Sequence, residues 1–110
     1  MRWFGRLARA REIAYVRRAG ERRALPTFTA YLAPSRSGRS SVAVAIPKAV
    51  GIAVVRNRIR RRICGALETI EPDARRTHPL RIFFVVRPAA ASAPYADLVR
   101  DVRAVLSQRS

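Results

Sequence analysis

The clearest structural signal in the chain is the segment IAVVRNRIRRRICGALETI, residues 52–70. It holds no proline and a single glycine, so little in it opposes a helix. At 100° per residue, six of its large apolar side chains fall within about 120° of arc. These six are Ile52, Val55, Ile59, Ile63, Leu67 and Ile70. We therefore predict a helix from Ile52 to Ile70 whose apolar stripe faces a core.

Two segments before this helix alternate with a period of two, which is typical of strands with one buried face. In Thr27–Ala33, the side chains of Phe28, Ala30 and Leu32 share one face. In Val42–Ile46, branched side chains alternate with alanines. Residues 34–40 between them are rich in proline, glycine and serine, and we predict an exposed hairpin loop there.

Three further elements complete the pattern. A helix is predicted over Ala10–Ala19, with Gly20 as its left-handed C-terminal cap. Leu80–Val86 is apolar on both faces, which indicates a central strand reached by a parallel crossover. Ser92 is predicted to cap a last helix, with Pro94 in its first turn. The order of helix, two or more strands, helix, strand and helix indicates an α+β fold with helices packed on a small sheet.

The composition indicates a folded domain that binds a polyanion. The 110 residues carry 23 basic side chains, all arginine except Lys48, against 7 acidic ones, giving a net charge of +16. Because so large a charge repels itself, an anionic partner is expected. The 49% apolar content is enough to form a core, and a single domain, residues 1–110, fits the length. No apolar run approaches the ~20 residues of a transmembrane helix, and Met1–Arg11 lacks the apolar stretch of a signal peptide, so we expect a cytoplasmic location.

Residues 56–62 place five arginines and one asparagine on the predicted helix. Projected at 100° per residue, Arg61 and Asn57 lie nearly opposite the apolar stripe, and the other arginines lie toward its flanks. A solvated face is the ordinary interpretation of a charge run, but such a face usually mixes signs, and here no acid follows before Glu68. Because a guanidinium makes two parallel hydrogen bonds to a phosphate, we predict that this face binds nucleic acid. Asn57 can reach a base edge or a ribose hydroxyl.

The segment Gly51–Ile63, with Arg56-Asn57-Arg58 at its centre, resembles the signature of the protein subunit of bacterial ribonuclease P. The resemblance extends over roughly Arg6 to Leu106. It implies an α+β fold of the ribosomal-protein-S5-domain-2-like class, with a small mixed sheet of about four strands packed by three helices in αβββαβα-like order. It also implies a left-handed βαβ crossover, which is an exception to the usual handedness.

The resemblance further implies a function and the residues that serve it. The protein would bind the catalytic RNA of ribonuclease P through the arginine-rich helix, at Arg56, Asn57, Arg58, Arg60, Arg61 and Arg62. It would hold the 5′ leader of precursor tRNA in a cleft between the first helix and the sheet, at Ile13, Arg17, Tyr31 and Lys48. The complex would hydrolyse one phosphodiester to release the leader. Magnesium-dependent catalysis would belong to the RNA, so neither a catalytic residue nor a bound metal is expected in the protein.

Two of the leader positions depart from the family pattern. Ile13 and Arg17 stand where the first helix commonly carries two aromatic residues. Arg17 can still contact a leader phosphate, or stack its guanidinium plane on a base.

Two other functions share features with this sequence. A structural protein that binds ribosomal RNA would have a similar charge, size and architecture, and the Arg-Asn-Arg signature and the identity of the co-purifying RNA separate it from the first hypothesis. A stand-alone metal nuclease is excluded, because the seven acids are mostly near helix ends or on exposed faces and provide no converging carboxylates. The single histidine, His78, is predicted to be a surface loop residue, and the single cysteine, Cys64, a passive thiol.

Overall fold

The computed structural model describes residues 2–70 and 79–107. His78 lies outside these residues. Their strands and α-helices follow one another along the chain as β1 (Phe4–Arg6), α1 (Ala10–Ala19), β2 (Glu21–Ala24), β3 (Phe28–Pro34), β4 (Ser40–Ala45), α2 (Ala53–Thr69), β5 (Leu80–Val86) and α3 (Tyr95–Ser107). Within this part of the chain, no helix has the length and apolar character needed to cross a membrane. The predicted α+β class is confirmed.

The five strands form one mixed sheet in the order β1-β4-β5-β3-β2. Strand β5 lies at its centre, parallel to β4 and antiparallel to β3. The pair β4–β5 is joined through α2, which makes the predicted parallel crossover. Its handedness stays a prediction.

The prediction of a hairpin between β3 and β4 is wrong. Strand β5 lies between them, so that Phe83 pairs with Tyr31 on one side and with Ala43 on the other. The physical reason is that β5 is apolar on both faces and therefore takes the fully buried central position. The loop that follows Pro34 is exposed as predicted, and its Gly38 has a φ of 78°.

Strand β1 adds a fifth strand to the four expected. It pairs in parallel with residues 40–42 at the start of β4. The buried Phe4 joins the core, while Trp3 Nε1 donates a hydrogen bond of 2.8 Å to the carbonyl oxygen of Leu67. A strand of three residues is too short to show an alternating pattern in the sequence.

The two faces of the sheet are covered by different helices. The face that carries Phe28 and Phe84, which we call the core face, packs against α2 and α3. The opposite face carries Tyr31 and Phe83 and packs against α1; we call it the groove face.

The apolar stripe of α2 is confirmed except at its start. Ile59, Ile63 and Leu67 are fully buried, but Ile52 is 71% exposed. The helix begins at Ala53, and Ile52 precedes it in an extended conformation. A projection at 100° per residue therefore does not apply to Ile52.

Two predicted helix ends are also wrong. Gly20 follows α1 with φ −75° and ψ 162°, which is extended and not left-handed. Its lack of a side chain matters for another reason: a Cβ there would lie 2.8 Å from the carbonyl oxygen of Leu32. Ser92 ends a short 3₁₀ turn, Pro88–Ala91, whereas α3 begins only at Tyr95.

Candidate nucleic-acid interface

The first candidate surface is the outer side of α2, which we call the arginine surface. It comprises Arg56, Asn57, Arg58, Arg60, Arg61 and Arg62. Asn57, Arg58, Arg60 and Arg61 are exposed, and the other two are half-buried. In residues 2–70 and 79–107, none of its arginines forms an ion pair with a carboxylate. Its positive charge is therefore available to an anion.

Arg56 differs from its neighbours because its side chain turns back along the helix. Its Nε donates a hydrogen bond of 3.1 Å to the carbonyl oxygen of Gly51. This hydrogen bond stabilises the junction before α2.

The N-terminal turn of α2 adds exposed apolar side chains to the arginine surface. Val54 is 68% exposed and lines a shallow depression of about 420 Å³ together with Asn57, Arg60 and Arg61. An apolar side chain beside planar guanidinium groups and an amide matches the chemistry of an unstacked nucleobase. The sequence prediction missed this feature because it placed no apolar residue on the solvent side of the helix.

The second candidate surface is a groove of about 640 Å³ that extends along the groove face. Its wall includes Ile13 of α1, and its floor includes Phe83, Ala43 and Ala45. The groove exists because β1 pairs only with the first half of β4. The second half of β4 therefore keeps a free edge.

The structure brings together two of the four predicted leader residues. Ile13 and Tyr31 both pack against the small apolar cluster on the groove face. The ring of Tyr31 is stacked on that of Phe83, with 6.1 Å between centroids and 28° between planes. Arg17 is exposed one turn after Ile13 on α1, and Lys48 is exposed three residues after Ala45. Arg17 and Lys48 thus present their charges to solvent.

The central strand contributes residues that the sequence prediction missed. Successive residues of a strand point to opposite faces, so Arg81, Phe83, Val85 and Arg87 form one row beneath α1. Arg87 Nη2 donates a hydrogen bond of 3.1 Å to Thr29 Oγ1, and Arg81 is only 5% exposed. The signal in the sequence was the same two-residue period, with an arginine at each end of an apolar pair.

The two candidate surfaces meet at the free edge of β4. Arg60 lines both the depression on α2 and the groove, and its Nη2 lies 3.4 Å from the carbonyl oxygen of Val44. Cys64, one turn further along α2, also lines the groove. Burial raises the pKa of its thiol; Arg2 and Arg60 oppose this shift, and Glu68 adds to it. Cys64 is therefore protonated and a weak nucleophile at neutral pH.

Comparison with known proteins identifies similar chains. A family model described as Ribonuclease P matches residues 1–109. A ribonuclease P protein component of Chloroflexus aurantiacus is 33% identical over 108 residues, which cover 98% of this chain and 79% of that protein. Another from Streptomyces bikiniensis is 33% identical over 118 residues, covering 94% of this chain and 89% of that protein.

Solved structures show the same fold. The ribonuclease P protein of Staphylococcus aureus superposes with a TM-score of 0.78 at 19% identity, covering 92% of this chain and 91% of that chain. The protein from Thermotoga maritima superposes with a TM-score of 0.77 at 13% identity, covering 96% of this chain and 97% of that chain. The three helices and the mixed sheet are thus the architecture of this group of proteins.

Proposed function

Because the chain belongs to the ribonuclease P protein family and is a subunit of that tRNA-processing enzyme, we propose that it binds two RNA segments on two adjoining surfaces. The arginine surface of α2 binds the catalytic RNA of the enzyme. The groove beside α1 holds the 5′ leader of precursor tRNA, which the complex removes to give the mature 5′ end. Family membership also decides against a ribosomal-type structural protein.

The observation that carries this proposal is the junction at Arg60. Uncompensated arginines cover α2, and Arg60 extends that charge to the mouth of a groove with an apolar floor. One RNA along α2 and a second strand in the groove would therefore approach each other closely. The guanidinium groups between them reduce the repulsion of their phosphates.

The groove supports binding that depends little on base identity. Its floor is apolar at Phe83 and Ala45, and apolar contact with a base reads no hydrogen-bond pattern. Arg17 and Lys48 are exposed, and we expect their charges to contact phosphates of the leader. We therefore expect the groove to add affinity for a leader of almost any sequence.

We assign the chemistry of cleavage to the RNA, with magnesium ions bound mainly by the RNA. Within the described residues, no three His, Cys, Asp or Glu side chains come together. This part of the chain therefore offers no fitting metal site, and no step of the proposal passes through a metal held by the protein. A cytoplasmic location, beside the pool of precursor tRNA, suits a chain of this charge.

Reconstitution tests the proposal. The protein alone should cleave nothing, and at near-physiological salt it should raise cleavage of leader-bearing precursor tRNA by the catalytic RNA. A matched reaction with Arg103→Ala, which removes one exposed charge from α3, should show the same stimulation. The absence of stimulation by the wild-type protein would refute the proposal.

A further inference from the structure

The side chain of Tyr15 is surrounded by three arginines from three different elements. The Cζ atoms of Arg18, Arg36 and Arg81 lie 5.8, 5.7 and 5.0 Å from the centroid of its ring. Arg18 belongs to α1, Arg36 to the loop after β3, and Arg81 to β5. We call these four residues the Tyr15 cluster.

Two members of the cluster are held in place by the fold. Arg81 Nε donates a hydrogen bond of 2.9 Å to the carbonyl oxygen of Pro34, and its Nη1 lies 3.6 Å from Glu12 Oε1. The loop that carries Arg36 is ordered by Ser35, whose Oγ donates a hydrogen bond of 2.6 Å to the carbonyl oxygen of Arg39. The fold thus fixes the guanidinium group of Arg81 against the ring and orders the loop that brings Arg36 to it.

The charges of the cluster do not balance. Within the described residues, Glu12 is the one carboxylate that forms an ion pair with it, through Arg81. Arg18 and Arg36 are exposed and form no ion pair there. The tyrosine ring attracts each cation but cancels none of the charge. Three guanidinium groups against one carboxylate therefore favour a bound anion.

The cluster lies across α1 from the groove. At 100° per residue, Ile13 and Arg17 are about 40° apart on α1, whereas Tyr15 is about 160° from each. A helix with its side chains is about 10–12 Å across, so a strand leaving the groove could reach the cluster by passing over α1. The arginine surface belongs to α2, which packs on the other face of the sheet.

We propose that the Tyr15 cluster binds a backbone phosphate of the 5′ leader, in the segment upstream of the nucleotides held in the groove. This inference rests on the proposed function, because it continues the path of the leader beyond the groove. Arg18 and Arg36 contact the phosphate, and Arg81 with Tyr15 positions them. The cluster then makes affinity depend on leader length.

The test measures the affinity of reconstituted holoenzyme for precursor tRNAs with long and short leaders. Arg36→Ala and Arg18→Ala should each weaken binding of the long-leader substrate about threefold to tenfold, and each should reduce the salt slope by about 0.7. Neither variant should change the affinity for a leader of only a few nucleotides, which ends inside the groove. Arg36→Lys keeps the charge and should retain most of the salt slope.

Arg103→Ala serves as the matched control, because it removes an exposed arginine from α3 and should leave the length dependence unchanged. Equal losses with short and long leaders would place the catalytic RNA or the tRNA body on the cluster and overturn the proposal. Unchanged affinity for the long leader would also overturn it. In either case, stimulation of short-leader cleavage by the wild-type protein still supports the proposed function. A failure of this inference is therefore distinguishable from a failure of the proposed function.

Discussion

The two faces of the sheet are built from similar residues but are covered to different degrees. On the core face, α2 and α3 bury Phe28, Phe84 and Ile82 completely. On the groove face, the single helix α1 buries Val16 against Phe83, and Ala43 and Ala45 remain at the groove. One helix fewer on a sheet therefore converts part of an apolar core into a binding floor.

The largest expected effect distinguishes Phe83 from Phe84, two neighbouring residues of β5 that lie on opposite faces of the sheet. Phe84 is fully buried and packs edge-to-face on Phe28, with 5.0 Å between ring centroids. Phe84→Ala should lower the free energy of unfolding by about 3–5 kcal/mol. Phe83→Ala should cost less, because the groove removes packing partners from one side of that ring, and it should weaken leader binding. Urea unfolding measures both variants, and equal losses would show that the groove face is core as well.

The next largest effect concerns a polar contact that joins α3 to the start of β3. Asp101 is 2% exposed and accepts hydrogen bonds from Thr27 N at 3.0 Å and from Thr27 Oγ1 at 2.6 Å. Asp101→Ala leaves these buried donors without a partner and should lower the free energy of unfolding by about 1–3 kcal/mol. The half-buried Asp97 on the same helix offers a control, because its contact is an ion pair of 3.3 Å with the exposed Arg100; Asp97→Ala should change stability by less than about 1 kcal/mol. Comparable losses in the two variants would contradict the role of burial.

Substitutions on the arginine surface should change the affinity for the catalytic RNA and leave the stability of the fold nearly unchanged. Arg58→Ala or Arg61→Ala should weaken binding of the catalytic RNA and reduce the salt slope by about one unit each. Thermal unfolding should stay nearly unchanged, because both side chains are exposed. Titrations of catalytic RNA over a range of salt concentrations measure the slope. A slope equal to that of the wild-type protein would place the RNA on another face.

Local sequence patterns predicted the three helices and the strands β3, β4 and β5, but neither β1 nor β2. The stripe of Ile59, Ile63 and Leu67 and the central position of β5 follow from side-chain spacing alone, because a helix and a buried strand repeat at fixed intervals. The run of arginines predicted the arginine surface, and the resemblance to a family supplied the leader residues, of which the structure joins Ile13 and Tyr31 in one cluster.

The remaining features depend on contacts between distant parts of the chain. Asp101 is one of the seven acids predicted to lie mostly near helix ends or on exposed faces. In the structure it is buried, and it accepts hydrogen bonds from Thr27, which lies 74 residues earlier in the chain. The groove depends on how far β1 pairs along β4, and the link from Arg60 to Val44 follows from that free edge. No local pattern in the sequence encodes these distances.

The smallest expected effect concerns Cys64, which lies near the junction of the two candidate surfaces. Because burial raises the pKa of its thiol, the thiolate forms only at a higher pH than in an exposed cysteine. Alkylation by iodoacetamide should therefore reach half its maximal rate at a higher pH in the folded protein than in the same chain unfolded in urea. Identical pH profiles would mean that solvent reaches the thiol freely, and that α2 does not close the groove at this edge.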